Sequence, residues 1–240
     1  MLRALVILAL VFHAARAEDE KPAAPTQPKV ERVDDNTFQI GDIRFRKDTR
    51  TIRIPAEVNM TEGLLEYVLV HTDGKIHESL FFTRVNATHL NVAFKLLGFR
   101  ASEELFYALE EDGSASNRLI EVDEKTRAAA RTKVSVEWKD KDQTKSVPLH
   151  ELIRHAISER PMPAAPWIYG GSFLVEGKFA AETSGDMIAI FTNHASLLNY
   201  AGKDHDNDEV WIPAHDRVPP EGTSVTVVIS PADPEPSINK

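Results

Sequence analysis

The segment Gly74-Lys75-Ile76-His77-Glu78-Ser79-Leu80 places an imidazole, a carboxylate and a hydroxyl in a row inside an apolar stretch. Those are the groups of general acid–base and nucleophilic chemistry. If the stretch is a strand, successive side chains alternate between faces, so His77 and Ser79 share one face while Glu78 projects from the other. They then form no His-Glu-Ser triad. An Asp73-Gly74 two-residue turn sets Val70 opposite His77, Val68 opposite Ser79 and Glu66 opposite Phe81, with Glu66 diagonal to Ser79. Glu66, His77 and Ser79 are the polar positions of one face. Glu78, alone among apolar neighbours on the other, needs a partner to be buried. These four are candidate binding residues, although hydrogen-bonded scaffolding is the commoner use of such groups.

Trp167 and Tyr169 precede Gly170-Gly171-Ser172, where a backbone free of side chains lets a ligand approach. Trp167, Gly171 and Ser172 join the candidate binding set, with a tight bend against the core as the competing reading. Asp204-His205-Asp206-Asn207-Asp208-Glu209 is the most charged window. Asp204, Asp206 and Asp208 match the opening of a calcium loop, but Glu209 stands where the sharp-turn Gly belongs and His215 where the bidentate Glu belongs. A solvated acidic loop is favoured, no cofactor is expected, and weak calcium binding at the three Asp residues is the alternative.

Other chemistries lack their spacing. His150 and His155 lie five apart, on different helix faces, so a zinc-protease helix fails, and no Gly-x-Ser-x-Gly elbow, Walker loop or dinucleotide fingerprint occurs. With no Cys, disulfides, thiolate zinc sites, iron–sulfur clusters and cysteine nucleophiles are excluded.

The elements that must hold these residues are mostly strands. Phe38/Ile40, Ile43/Phe45 and Ile52/Ile54 alternate with polar neighbours across turn compositions, an antiparallel meander. Leu64 to Val70 and Ile76 to Phe82 read as a central hairpin. Leu90, Ala93, Phe94 and Leu97 form one face of a helix over Thr88 to Leu97, started by Asn86 or Thr88 and closed by Gly98. Short helices are also expected at Ser102 to Leu109 and Pro148 to Ile157. Strands follow around Val134, Val136 and Trp138, then at Trp167 to Val175, Phe179 to Thr183, Met187 to Thr192 and Ser224 to Ile229. Gly74 to Asn91 and Gly185 to Asn199 echo each other as turn, strand and capped helix start, a likeness that reused supersecondary cues explain. The fold class is α+β: a β-rich single domain with an antiparallel meander, hairpins and a few short helices.

The runs Leu65 to Val70 and Gly74 to Leu80, the helix ending Leu96-Leu97-Gly98, Pro166 to Ser172 and Ser196 to Asn199 together resemble the YdjY-like domain of exported bacterial proteins, over about Val30 to Pro231. The resemblance implies no named activity. Some relatives are linked with ferredoxin-type segments, but this chain has no Cys ligand for such a cluster.

The chain has 240 residues, 42% hydrophobic and 27% charged, with a formal charge of −9. That is a globular composition of one large or two small domains, and the shortage of linker-like stretches favours one. Arg3, the apolar Ala4 to Phe12 and Ala15-Arg16-Ala17 have the order of a secretory signal over 1–17, with a Pro-rich spacer at 18–29, the domain at 30–230 and a loose tail at 231–240. Removing Arg3 and Arg16 leaves 26 basic against 37 acidic residues, about −11, which repels nucleic acid. No later run suits a transmembrane anchor. The sequence is read as an exported, periplasmic or extracellular, non-enzymatic binding or interaction module for an unknown extracytoplasmic ligand or protein. A secreted hydrolase or metal-dependent enzyme using His77 and Glu78 is the alternative, and a calcium-stabilised wall or surface component a third.

Overall fold

A computed structural model describes residues 29–232. The expected signal segment, nearly all of the spacer, and the tail beyond Ala232 lie outside the described residues. The meander is present: β1 (Val30–Arg32), β2 (Thr37–Ile40), β3 (Ile43–Arg46) and β4 (Thr51–Val58) pair antiparallel in sequence order. Alternation drives it, since Ile40, Ile43, Phe45, Ile52 and Ile54 are buried and their neighbours are not.

Next come β5 (Tyr67–His71), β6 (Ser79–Thr83) and helix α1 (Ala87–Leu96). α1 buries Ala87, Leu90, Ala93 and Phe94, starts with the Asn86 side chain accepting from His89 N, and ends at Gly98, whose φ is +75°. The hairpin β7 (Tyr107–Leu109) and β8 (Ala115–Leu119) is followed by α2 (Glu124–Ala130), then the long pair β9 (Arg131–Asp140) and β10 (Gln143–Pro148). A single 3₁₀ turn, Leu149–Leu152, leads into β11 (Ile153–His155). The remaining elements are β12 (Trp167–Tyr169), β13 (Leu174–Val175), β14 (Lys178–Phe179), α3 (Ala180–Ser184), β15 (Asp186–Ala189), β16 (Leu198–Tyr200), β17 (Trp211–Pro213) and β18 (Ser224–Pro231). β18 thus includes Pro231, where the tail was expected to begin.

Eight strands close a ring in the order β4-β18-β9-β12-β16-β15-β5-β6, sealed by Glu57↔Phe82 and Val58↔Phe81. The protein is α+β and β-rich as expected, and the closed barrel goes beyond that reading. Closure leaves the ring without free edges, and its interior forms the main apolar core.

Three local expectations are corrected. Ser102 to Leu109 is a loop running into β7, and Pro148 to Ile157 is the 3₁₀ turn and β11, because both stretches pair with other segments instead of burying a helical face. Phe179 to Thr183 is mostly helix α3, closed by Gly185 at φ +78°. The largest correction concerns β5 and β6. They are parallel, with Tyr67 beside Ser79 and Leu69 beside Phe81, and only Thr72 to Glu78 connects them. A two-residue hairpin turn of the Asp-Gly type needs positive φ at both central residues, and neither Asp73 nor Gly74 has it. The chain instead turns at Asp73-Gly74, winds through a 3₁₀ turn at Ile76–Glu78 and re-enters the sheet in the original direction.

β15 and β16 repeat the device: they are parallel across a short connection, and β15 runs antiparallel to β5. The contacts along β6-β5-β15-β16 are therefore parallel, antiparallel, parallel. This arrangement relates β5 to β15, whereas the sequence echo aligned β6 with β15. The echo is reuse of turn and cap chemistry: Asn86 caps α1, and Asn193 Oδ1 accepts from Ala195 N.

Candidate functional site

A polar cluster forms where the two parallel pairs meet. Tyr67 opens β5, Asp186 opens β15, and the connections after β5 and β15 bring in Lys75 and Asn193. Lys75 Nζ donates to Tyr67 Oη at 2.5 Å and to Asp186 Oδ2 at 3.3 Å. Asn193 Nδ2 lies 2.9 Å from both of those oxygens. Asn193 is positioned in turn by its own N–H, which donates to Asn199 Oδ1 on β16. Asp186 is 1% exposed and the Lys75 side chain 41%, so the carboxylate lies inside and the ammonium reaches solvent.

Burial works against the Lys75 ammonium, but the bond to Tyr67 and the charge of Asp186 win and raise its pKa above the ordinary lysine value. Burial likewise raises the Tyr67 phenol, with the Asp186 charge adding to it against the bond from Lys75. Lysine is thus held as a cation and tyrosine as a neutral phenol. Among the described residues, three buried side-chain atoms have no hydrogen-bond partner: Asp186 Oδ1, Ser196 Oγ and Asn199 Nδ2. Asn199 is oriented by the backbone donor on its oxygen, so the unpaired atom is its amide nitrogen.

The sequence-predicted residues are dispersed relative to this cluster. His77 and Glu78 belong to the 3₁₀ turn, so the strand-face argument that separated them does not apply. His77 Nε2 projects at the surface 3.6 Å from Glu78 Oε2. Glu66 N donates to Glu78 O, which brings the two carboxyls to one rim of the barrel. Burial, and then the charges of Glu78 and Asp208, raise the Glu66 pKa, while Lys75 opposes them. Ser79 is fully buried with its hydroxyl on Phe81 O at 2.8 Å. Trp167 is a core residue whose carbonyl accepts from Thr132 Oγ1.

Gly171 has φ +77°, and a Cβ there would lie 3.0 Å from Ala101 Cβ. Ser172 Oγ accepts from Ala181 N in the first turn of α3. In the acidic loop Asp204 O accepts from Trp211 Nε1, while Asp206 and Asp208 are exposed. Among the described residues, no group of three or more His, Asp or Glu is gathered as a metal site. A separate groove of about 840 Å³ outside the barrel, on β4, β9 and β18, is crossed by the Arg53–Glu137 pair and shares no residue with the polar cluster.

Tyr67, Lys75, Asp186 and Asn193 escaped sequence reasoning as site residues. The signal was there: Asp186 is the one charge in the run Asp186-Met187-Ile188-Ala189-Ile190-Phe191, and a buried strand carboxylate demands a cation.

The architecture defines a class: a closed, mixed parallel and antiparallel eight-stranded barrel with an N-terminal meander and a polar cluster between two short parallel connections. Within that class, the family model of the YdjY domain matches residues 43–230, and the chain belongs to that family. No curated protein and no solved structure matches it. Among the described residues no helix is long and apolar enough to cross a membrane.

Proposed function

We propose that the protein is an exported, non-enzymatic binding module that takes a small polar ligand at the cluster of Lys75, Tyr67, Asp186 and Asn193. The observation carrying this reading is the set of three buried unpaired atoms, Asp186 Oδ1, Ser196 Oγ and Asn199 Nδ2, all on residues of β15, β16 or the connection between them. Native interiors pair nearly all such groups, and a ligand bearing donors and acceptors pairs them on binding. The protonation states favour binding over catalysis. A nucleophilic or basic lysine needs a lowered pKa, and that of Lys75 is raised. Export rests on the order of charges and apolar residues in 1–17.

The test is a thermal-shift screen of the full domain against amino acids, monosaccharides and short carboxylic acids. One class is expected to raise the melting temperature saturably, and Asn199→Ala to abolish that shift. Equal shifts in wild type and variant remove the cluster from consideration. The competing reading, a secreted hydrolase or metal-dependent enzyme using His77 and Glu78, draws on the raised pKa of Glu66 beside Glu78, the arrangement of a shared-proton carboxyl pair. It requires turnover of a simple ester that Glu78→Gln abolishes.

A further inference from the structure

The β7–β8 hairpin stands apart from the barrel as its own two-stranded sheet. Tyr107 pairs with Leu119 and Leu109 with Ala115, with a bulge between the two pairs. The hairpin presents three large apolar side chains, 53%, 51% and 69% exposed for Tyr107, Leu119 and Leu109. An isolated two-stranded sheet is marginal in water, and baring these side chains adds to that cost. The hairpin is nonetheless held firmly at its base. Ile120 N donates to Phe106 O at 2.8 Å, Phe106 is buried against the His194 ring, and Ser102 N donates to Tyr169 O on β12.

Charge identifies what fits this surface. The segment 103–121 carries the exposed acids Glu103, Glu110, Glu111, Asp112 and Glu121, none of them in an ion pair among the described residues, against one base in that segment, Arg118. Asp112 is kept ionised by the Ser114 hydroxyl and backbone N–H, which lower its pKa. A second copy of this chain would bring the same acidic segment and a formal charge of −9, so like charges would face each other. We propose that the β7–β8 hairpin docks a basic segment of a partner protein, with that segment's apolar side chains on Tyr107, Leu109 and Leu119 and its cations on the carboxylates of 103–121. The surface is distinct from the polar cluster and does not depend on a ligand there.

The probe is a synthetic octapeptide of alternating Lys and Val, titrated against the full domain by fluorescence anisotropy. Peptides of alternating Lys and Ser and alternating Glu and Val separate the charge and apolar contributions. Lys-Val is expected to bind at least about tenfold more tightly than either control. The double variant Leu109→Ser/Leu119→Ser should lose at least about tenfold in Lys-Val affinity at an unchanged melting temperature. The exposed-turn variant Glu110→Lys/Glu111→Lys should weaken Lys-Val and strengthen Glu-Val. Equal binding of Lys-Val and Lys-Ser, binding untouched by the double variant, or no Lys-Val binding overturns the proposal. So does a wild-type dimer in sedimentation that Leu109→Ser/Leu119→Ser converts to monomer, since a second copy then covers the hairpin.

Discussion

Gly74 and Gly185 meet backbone to backbone: a Cβ on Gly185 would lie 2.9 Å from Gly74 Cα, and one on Gly74 would lie 3.1 Å from Ser184 O. The contact holds the turn after β5 against the turn before β15, with His71 N donating to Gly185 O. Lys75 and Asp186 follow these glycines by one residue each, so the contact sets their approach. Gly185→Ala is expected to destabilise by about 1–3 kcal/mol through positive φ, with a further loss from the clash. Gly98→Ala is the control, because Gly98 has φ +75° and nothing within 4 Å of its Cβ position. Denaturant melts of the two variants isolate the contact, and equal losses would show that the glycine pair contributes nothing.

Lys75→Met removes the cation from a buried carboxylate and should cost about 1–3 kcal/mol near neutral pH. The folded pKa of Lys75 is raised, so its stabilisation is complete below the unfolded value of about 10.4 and is lost as pH rises through the folded one. The gap between wild type and variant should stay constant from neutral pH to about pH 10 and shrink above it. Melting curves across that range decide, and a gap that closes on acidification instead would contradict the assignment.

Tyrosine ionisation offers a check without mutation. Burial raises the phenols of Tyr67 and Tyr169, and raises Tyr200 to about 12. These are three of the four tyrosines. Titration of absorbance near 295 nm (about the phenolate band) should show most of the change arriving with alkaline unfolding rather than at about pH 10.

Glu66→Gln should stabilise at neutral pH by less than about 1 kcal/mol, because the carboxyl is half-buried and screened. A carboxyl whose folded pKa is raised contributes stability at low pH and loses it as pH rises. The gain from Glu66→Gln should therefore vanish below about pH 4. Added salt should shrink the repulsion from Glu78 and Asp208. Destabilisation at pH 7 would mean that Glu66 has a stabilising partner.

Calcium is expected to bind no tighter than about 10⁻⁴ to 10⁻³ M at Asp204, Asp206 and Asp208, the range of weak extracellular sites. Titration calorimetry on the full domain measures it. Micromolar affinity would show that the acidic loop forms a real cation site.

The parts of the fold governed by neighbours in sequence were legible. The meander follows from alternation at Phe38 to Ile54, and α1 from its caps and apolar stripe. The β5–β6 connection was not. Its turn residues favour a hairpin locally, and the Gly74–Gly185 contact, 111 positions apart in number, overrides that preference. α3 shows the same limit: Phe179 to Thr183 carries too short an apolar pattern to choose between helix and strand. For the site, Glu66 and Glu78 stood out in the sequence as polar positions among apolar neighbours. Their neighbours Lys75, Asp186 and Asn193 gain meaning only when two distant connections converge.

The ring is sealed by its last strand. β18 lies between β4 and β9, so Val225 to Ile229 must reach Ile52 to Ala56 on one side and Val134 to Trp138 on the other. Until the final Ser-Val-Thr-Val-Val-Ile-Ser stretch emerges from the ribosome, both of those strands present open edges. The barrel therefore waits, unsealed, for residues 224–231. It closes slowly, because its sealing contacts join strands far apart in sequence. A truncation just before Ser224 would not trim the protein but leave a barrel with a missing stave.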